Sequence, residues 1–425
     1  MRMTGDSLGG RAPRRVAVTG IGVMAPIGNS EQGFFDALCR GRSGIRRIDA
    51  PFATRLSNPI AAQVDFDPTA HFAPPRLRML DRFSQLALLA AGQALAGSGL
   101  TLDAAERLRA GVFIGTGYGG GHIIDDGYHA LYADGAMRLP PFTVLMAMQN
   151  AAAAWIGIEH GLSGPNLTWS TACSSSAVAI GEAWRRIRDG EADVILAGGS
   201  EAPLNFGTLK AWEALRTMAS EDPNDASASC KPFARDRSGL VLGEGAAILV
   251  LEDWEHARQR GARIRGELLG YGLATDNAHI TRPTVQGQSR AIQLALDSSS
   301  LQADAIDYIN AHGTATVAND ATETAAIKQV FGTRAYDIPI SATKSMHGHM
   351  LGAGAAVELV ATLLAMEQQT LPPTINLVNR DPECDLDYVT EGARSVQGVQ
   401  VAMSNSFAFG GTNAVLVCGS AQRDA

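Results

Sequence analysis

Few of the chain's reactive side chains stand where their neighbours could make them chemically useful, and Cys173 is the first. It lies in Asn166-Leu-Thr-Trp-Ser-Thr-Ala-Cys-Ser-Ser-Ser176. Leu167, Thr168 and Trp169 favour an extended backbone, and Ser174 to Ser176 favour the start of a helix. Ala177, Ile180, Ala183, Trp184 and Ile187 then recur at helical spacing. Arg185, Arg186 and Arg188 suit the last turn, and Gly190 supplies a stop. The stretch predicts a strand, a sharp turn carrying Cys173, and a helix. A thiol there meets unpaired backbone N–H groups and the positive end of the helix dipole, which favour its thiolate. Two readings stand at this point, a nucleophile or a buried inert cysteine, because the stretch itself holds no base.

The bases lie far along the chain. His312 ends a predicted strand in His-Gly-Thr-Ala-Thr316, followed by Asn319, Asp320 and Glu323. Lys344-Ser-Met-His-Gly-His-Met-Leu-Gly-Ala-Gly354 carries His347 and His349. Ser404-Asn-Ser-Phe-Ala-Phe-Gly-Gly-Thr-Asn413 predicts a flexible, donor-rich loop ahead of a last strand, Ala414 to Val417. A metal site built from His312, His347, His349 and Asp320 is chemically possible, although the expectation is that no metal is bound.

Positioning these groups falls to strands and helices in alternation. Val16 to Ala25 reads as a strand running into Gly20-x-Gly22-x-x-Ala25. That pattern is similar to a dinucleotide fingerprint, but Pro26, Gly28, Asn29 and Ser30 delay the helix to about Glu31, and the fingerprint needs a helix at the loop. Asp49 to Pro75 is irregular. Arg76, Arg78 and Arg82 lead into a helix near Phe83 to Ala96, a solvated face when taken alone. Gly111 to Gly121 predicts a strand ending in a glycine cluster with no helix following promptly, which suits close backbone approach in a pocket. Asp193 to Glu201 and Glu244 to Leu251 read as buried strands. From Arg263 the order restarts, with strands at Ile264 to Gly272 and Asp307 to Thr314. A strand and turn at Ile338 to Ser345, with an apolar helix from about Ala353 to Gln368, echo the Cys173 unit. The reading is two α/β halves, 1–262 and 263–425, each with a largely parallel, helix-covered sheet. Corresponding strand ends facing one cleft would bring Cys173, His312 and His349 together.

The composition bounds the rest. With 425 residues, 46% of them hydrophobic, the chain can bury a large core. Its net charge of −8 argues against nucleic acid as a partner. Five scattered cysteines without a Cys-x-x-Cys pair point to reduced thiols and a cytoplasmic protein. Residues 1–15 are Gly/Arg-rich without an apolar signal core, and no apolar run is expected to span a membrane.

Thr171-Ala-Cys-Ser-Ser175, His312-Gly-Thr314, Lys344-x-x-x-Gly-His349 and Asn405 to Asn413 resemble, in order, the motifs of the β-ketoacyl-[acyl carrier protein] synthases, the elongating Cys-His-His type. Lys231-Pro-Phe233 and Gly243-Glu-Gly245 fit as well, and the similarity runs from about Arg15 to the last strand. The resemblance implies a thiolase fold, a duplicated αβαβα sandwich, normally dimeric. It implies that Cys173 takes an acyl group from the phosphopantetheine of an acyl carrier protein, with the N–H groups of Cys173 and Phe409 as oxyanion hole. His312 and His349 would stabilise the enolate left by malonyl decarboxylation. Lys344 would set their geometry and field, with Glu323 as its partner. Phe407, Ala408 and Phe409 would gate the acyl pocket, with Ala408 where many relatives have glycine. Tyr118 stands at that pocket in place of a smaller aliphatic residue. Arg78 and Arg216, helped by Arg76 or Lys210, would dock the carrier protein. No cofactor is implied. A thiolase-like degradative enzyme would need a second catalytic cysteine, and Cys418 lacks the continuation for it. A non-catalytic chain-length partner would lack the nucleophile. The remaining alternative is a ketosynthase of a type II polyketide or polyene pathway, paired with a related subunit.

Overall fold

A computed structural model describes residues 12–423, so the reading of residues 1–15 falls mostly outside it. Ten strands carry the architecture: β1 Val16–Met24, β2 Ala110–Gly115, β3 Asn166–Trp169, β4 Val194–Glu201, β5 Gly245–Asp253, β6 Gly266–Thr275, β7 Tyr308–Asn310, β8 Ile340–Ser341, β9 Val401–Phe407 and β10 Thr412–Gly419. The helices that matter here are α1 Arg82–Ser98, α2 Gly121–Tyr132, α3 Ala151–His160, α4 Ser175–Arg188, α5 Phe206–Leu215, α6 Val285–Ser299, α7 Val317–Phe331 and α8 Gly354–Gln368.

The sheet order is β8-β7-β9-β10-β6-β1-β5-β4-β2-β3. Read outward from the β6/β1 junction, the two sides repeat one order, with β1, β5, β4, β2 and β3 matching β6, β10, β9, β7 and β8. Every strand before residue 262 lies on one side and every strand after it on the other. Largely parallel sheets, however, hold only at the outer strands. There β2 runs parallel to β3 and β4, and β7 to β8 and β9. The inner pairs are antiparallel. The two sides are also bonded to each other where Val16 to Val18 pair with Leu268 to Gly266. The β9/β10 pair shows why: four residues separate the strands, too few for the crossover that a parallel pair needs. The predicted flexible loop at 404–413 is therefore mostly hairpin strand, with only 408–411 at its tip.

Among the described residues, the three largest apolar clusters fill the layers. One lies between the two sides and joins α4 residues such as Ile180 and Trp184 to α8 residues such as Leu359 and Leu363. The others lie beneath α1 and α3, and beneath α6 and α7. Leu351–Gln368 is long and apolar enough to cross a membrane, contrary to the expectation of no such run, but 89% of that segment is buried within the protein. It is a core helix, apolar all round because it packs on every face.

The helix α2 starts at Gly121, immediately after the glycine cluster, where the sequence predicts none. Its first residue is glycine and it lacks a side-chain N-cap. Tyr128 and Tyr132 on it are exposed, which blurs the amphipathic pattern. The cluster still holds no phosphate cradle. The buried Glu201 carboxylate takes the N–H groups of Gly117 (2.5 Å), Tyr118 (3.0 Å) and Gly352 (3.0 Å) and the Thr116 hydroxyl (3.1 Å). The chain's own anion fills the site.

Candidate active site

Strand β3 leads through residues 170–171 into a tight turn, Ala172–Ser174, and then α4. Ala172 has φ +51°, a left-handed conformation that costs a non-glycine residue about 1 kcal/mol. This sharp reversal sets the Cys173 thiol at the foot of the helix. The other side repeats the device. Leu351, φ +43°, opens a turn Leu351–Ala353 ahead of α8, and His349 sits just before it.

The two sides meet at one point. His349 Nε2 lies 3.0 Å from Cys173 Sγ. The His312 and His349 rings stand edge to face, 5.5 Å apart. Ligand-capable atoms of Cys173, His312 and His349 all fall within 4.8 Å of one another. His347 does not join them: its ring nitrogens face the Gly348 carbonyl (2.8 Å) and the Thr343 hydroxyl (3.1 Å). Asp320 accepts the Phe233 N–H at 2.8 Å and also stays apart.

Hydrogen bonding assigns both histidine tautomers. The Leu351 N–H donates to His349 Nδ1 at 3.3 Å. The Lys344 ammonium, which can only donate, lies 3.3 Å from His312 Nδ1. Each ring therefore carries its hydrogen on Nε2. Burial and the Lys344 charge hold both imidazoles well below the usual histidine range, so both are neutral donors.

Lys344 is paired differently from the sequence reading. Its ammonium meets Glu358 Oε1 at 2.5 Å and the His312 carbonyl at 2.7 Å, with both charged side chains 1% exposed. Glu323 instead accepts the N–H groups of His312 (2.8 Å) and Gly313 (2.9 Å) and the Asn405 amide (3.2 Å). It clamps the backbone that carries the histidine. Glu358 was missed, yet it had a signal: a charge in the middle of the apolar helix α8 must be paired to be buried.

Burial pushes the Cys173 thiol up to about 11, against the pull of the Lys344 charge and of the backbone N–H groups of Phe409 and Cys173. Both N–H groups therefore lie beside the sulfur. Cys173 and Phe409 also stand between two cavities. One, of about 120 Å³, is lined by His312, His349, Thr314, Phe407 and Ala408. The other, of about 340 Å³, is lined by Tyr118, Trp212, Leu215 and Leu351. Ala408 adopts φ −107°, ψ 153°, which its Cβ tolerates, and φ above +75° falls on Gly410 and Gly411. The Phe409 ring stacks on Trp212 at 6.0 Å and 22°, a contact the sequence reading did not foresee.

Arg78 and Arg216 are both exposed, and among the described residues neither makes a side-chain ion pair. Arg76 is bound to Glu159 at 2.6 Å and lies over Trp155, and Lys210 is bound to Glu213 at 2.5 Å.

Two domain descriptions match the chain, "Beta-ketoacyl synthase, N-terminal domain" over residues 13–257 and "Beta-ketoacyl synthase, C-terminal domain" over residues 265–378. The chain belongs to the β-ketoacyl synthase family. Within this family of acyltransferases it is 43% identical to Nodulation protein E of Rhizobium meliloti over 403 residues, covering 95% of this chain and 98% of that one. It is 43% identical to 3-oxoacyl-[acyl-carrier-protein] synthase 2 of Synechocystis over 409 residues, covering 95% and 97%. Among solved structures, the ishigamide ketosynthase/chain length factor superposes with a TM-score of 0.88 at 37% identity, covering 96% of this chain and 100% of that one. The expected thiolase fold is thereby borne out.

Proposed function

We propose that the protein is a 3-oxoacyl-[acyl carrier protein] synthase that extends an acyl chain held on Cys173 by condensation with malonyl-[acyl carrier protein]. The observation that carries this is the meeting of Cys173 Sγ with His312 and His349 within 4.8 Å, under the N–H groups of Cys173 and Phe409. The Cys173 thiolate attacks the thioester of the incoming carrier arm, and its oxyanion takes those two N–H groups. Collapse breaks the C–S bond, and the pantetheine thiol leaves with the proton that Cys173 gave up. Malonyl thioester then loses carbon dioxide, and the released electron pair forms an enolate. The enolate oxygen accepts the Nε2–H groups of His312 and His349. The enolate carbon attacks acyl-Cys173, that C–S bond breaks, and Cys173 leaves as thiolate. Lys344, held by Glu358, keeps both rings neutral, and Glu323 holds the His312 backbone. The reaction needs no bound cofactor or metal, and the Lys344 ammonium beside His312 works against a second cation there.

In this reading Phe407, Ala408 and Phe409 form the gate and Tyr118 shapes the acyl pocket. Arg78 and Arg216 dock the carrier protein, with smaller parts for Arg76 and Lys210. The halves are 1–262 and 263–425, and the protein is cytoplasmic. Among the described residues strand β3 pairs on one side only and exposes Leu167, while Tyr132, Met137, Val144 and Ile158 are each more than 60% exposed. Such an edge and apolar patch suit a second, related subunit, a second copy of this chain first of all.

The aromatic lining of the acyl cavity and the likeness to a ketosynthase/chain length factor favour a second reading. In it the enzyme serves a dedicated type II polyketide or polyene pathway and pairs with a chain-length subunit. Acyl-pantetheine thioesters should leave a single adduct on Cys173 by intact-protein and peptide mass spectrometry, absent in Cys173→Ala. An adduct on another residue would sink the assignment. Co-purification of a related subunit would decide for the second reading.

A further inference from the structure

The acyl cavity holds two polar groups that acyl transfer itself does not use. Trp212, on α5, is 92% buried, being 8% exposed, and its ring is anchored by the stack on Phe409. Its Nε1–H is buried and, among the described residues, meets no acceptor within hydrogen-bonding geometry. The Tyr118 hydroxyl is close to that indole N–H. Burial raises the pKa of that hydroxyl and the nearby N–H works against the rise. Tyr118 itself is held from behind, since Glu201 accepts its backbone N–H. The other side chains of this cavity are nearly all carbon: Ala172, Ala211, Leu215, Leu351 and Phe409. The exceptions are the Cys173 thiol and Ser170, whose hydroxyl turns to the Gly117 carbonyl at 3.5 Å.

A buried N–H without a partner costs on the order of 1–3 kcal/mol. A purely hydrocarbon chain packed against Trp212 would leave that cost in place. A chain oxygen cannot touch that nitrogen, which has no accessible surface, but by accepting from the Tyr118 hydroxyl it would hold the Tyr118 oxygen in place to accept from Trp212. A site with buried donors discriminates by this means against analogues that lack the matching oxygen. We infer that the acyl chain taken by this pocket carries an oxygen, a carbonyl or a hydroxyl, that accepts the hydrogen bond offered by the Trp212–Tyr118 pair. The inference rests on the acyl-transfer reading above and narrows its substrate class to oxygenated chains.

The test compares matched pantetheine thioesters of equal length, saturated hydrocarbon against chains with one methylene replaced by a carbonyl or a hydroxymethine at successive positions. The readout is the rate of the Cys173 adduct by intact-protein mass spectrometry. At one position the oxygenated chain should react faster by on the order of ten-fold. Trp212→Phe and Tyr118→Phe, which keep the rings and remove the donors, should each bring that ratio towards one. Each ratio is internal to one sample, so partial loss of folded protein leaves it intact. A wild-type ratio of one or less at every position overturns the inference and leaves acyl transfer standing. A ratio unmoved by both substitutions overturns it in the same way. No Cys173 adduct from any thioester overturns acyl transfer and this inference together.

Discussion

At the scale of single residues, the nucleophile and the two histidines are tuned in opposite ways by one environment. Burial opposes every charge, so it keeps the Cys173 thiol protonated and both imidazoles neutral. Lys344 acts on both in the useful direction, favouring the thiolate and disfavouring imidazolium. With the thiol pushed up to about 11, only the small thiolate fraction reacts at neutral pH, and that fraction grows ten-fold per unit below the pKa. Alkylation of Cys173 by iodoacetamide should therefore climb steadily from pH 7 to 9.5. A plateau below pH 8 would show a thiolate held far more firmly than this pocket allows. The histidines make a separate prediction. Removing either by His312→Ala or His349→Ala leaves the enolate one donor, a loss of roughly 10²–10³ in rate. Malonyl decarboxylation should fall by that order while acyl transfer to Cys173 suffers less. Near-normal decarboxylation in either variant would contradict the division of labour.

At the scale of elements, two turns at corresponding places on the two sides of the sheet do the same work. Ala172–Ser174 and Leu351–Ala353 each begin with a left-handed residue and each open a central helix. Strand β2 comes so close to the start of α4 that a Cβ on Gly115 would lie 2.2 Å from the Ser176 nitrogen. Only glycine lets the nucleophile's helix sit where it does. Gly115→Ala should cost about 1–3 kcal/mol through overpacking and slow Cys173 acylation. Unchanged values of both Tm and acylation rate would mean that this close approach is dispensable. The Cys173 strand, turn and helix were legible in the sequence because serines, helical spacing and a glycine stop are local signals. The helix α2 was not. It starts at glycine without a cap and turns Tyr128 and Tyr132 outward, so local pattern and actual burial disagree.

At the scale of the whole molecule, charge has to be read by position. The chain is acidic, with a net charge of −8, yet Arg78 and Arg216 stand exposed and without ion pairs among the described residues. A local positive patch on an acidic protein raises association with an acidic carrier protein by 10-fold or more. Charge reversal at both arginines should raise the KM for carrier-bound substrates by on the order of ten-fold and affect pantetheine thioesters far less. Equal losses on both substrate types would rule docking out. Arg76 and Lys210 are engaged by Glu159 and Glu213, so their reversal should matter less.

The sequence by itself determined which residue types meet at the site and that the chain repeats one α/β order, because motifs, caps and strand-end glycines act over a few residues. It also pointed to Cys173, His312 and His349 as partners, since duplication relates the strand ends that carry them. What only the tertiary structure decided depends on packing between segments far apart in the chain. The partner of Lys344 is Glu358, not Glu323, because α8 delivers that carboxylate through the core. The glycine cluster is closed by Glu201 from a neighbouring strand. The raised thiol pKa and the unpaired Trp212 N–H follow from burial, a property of the assembled fold rather than of any local stretch.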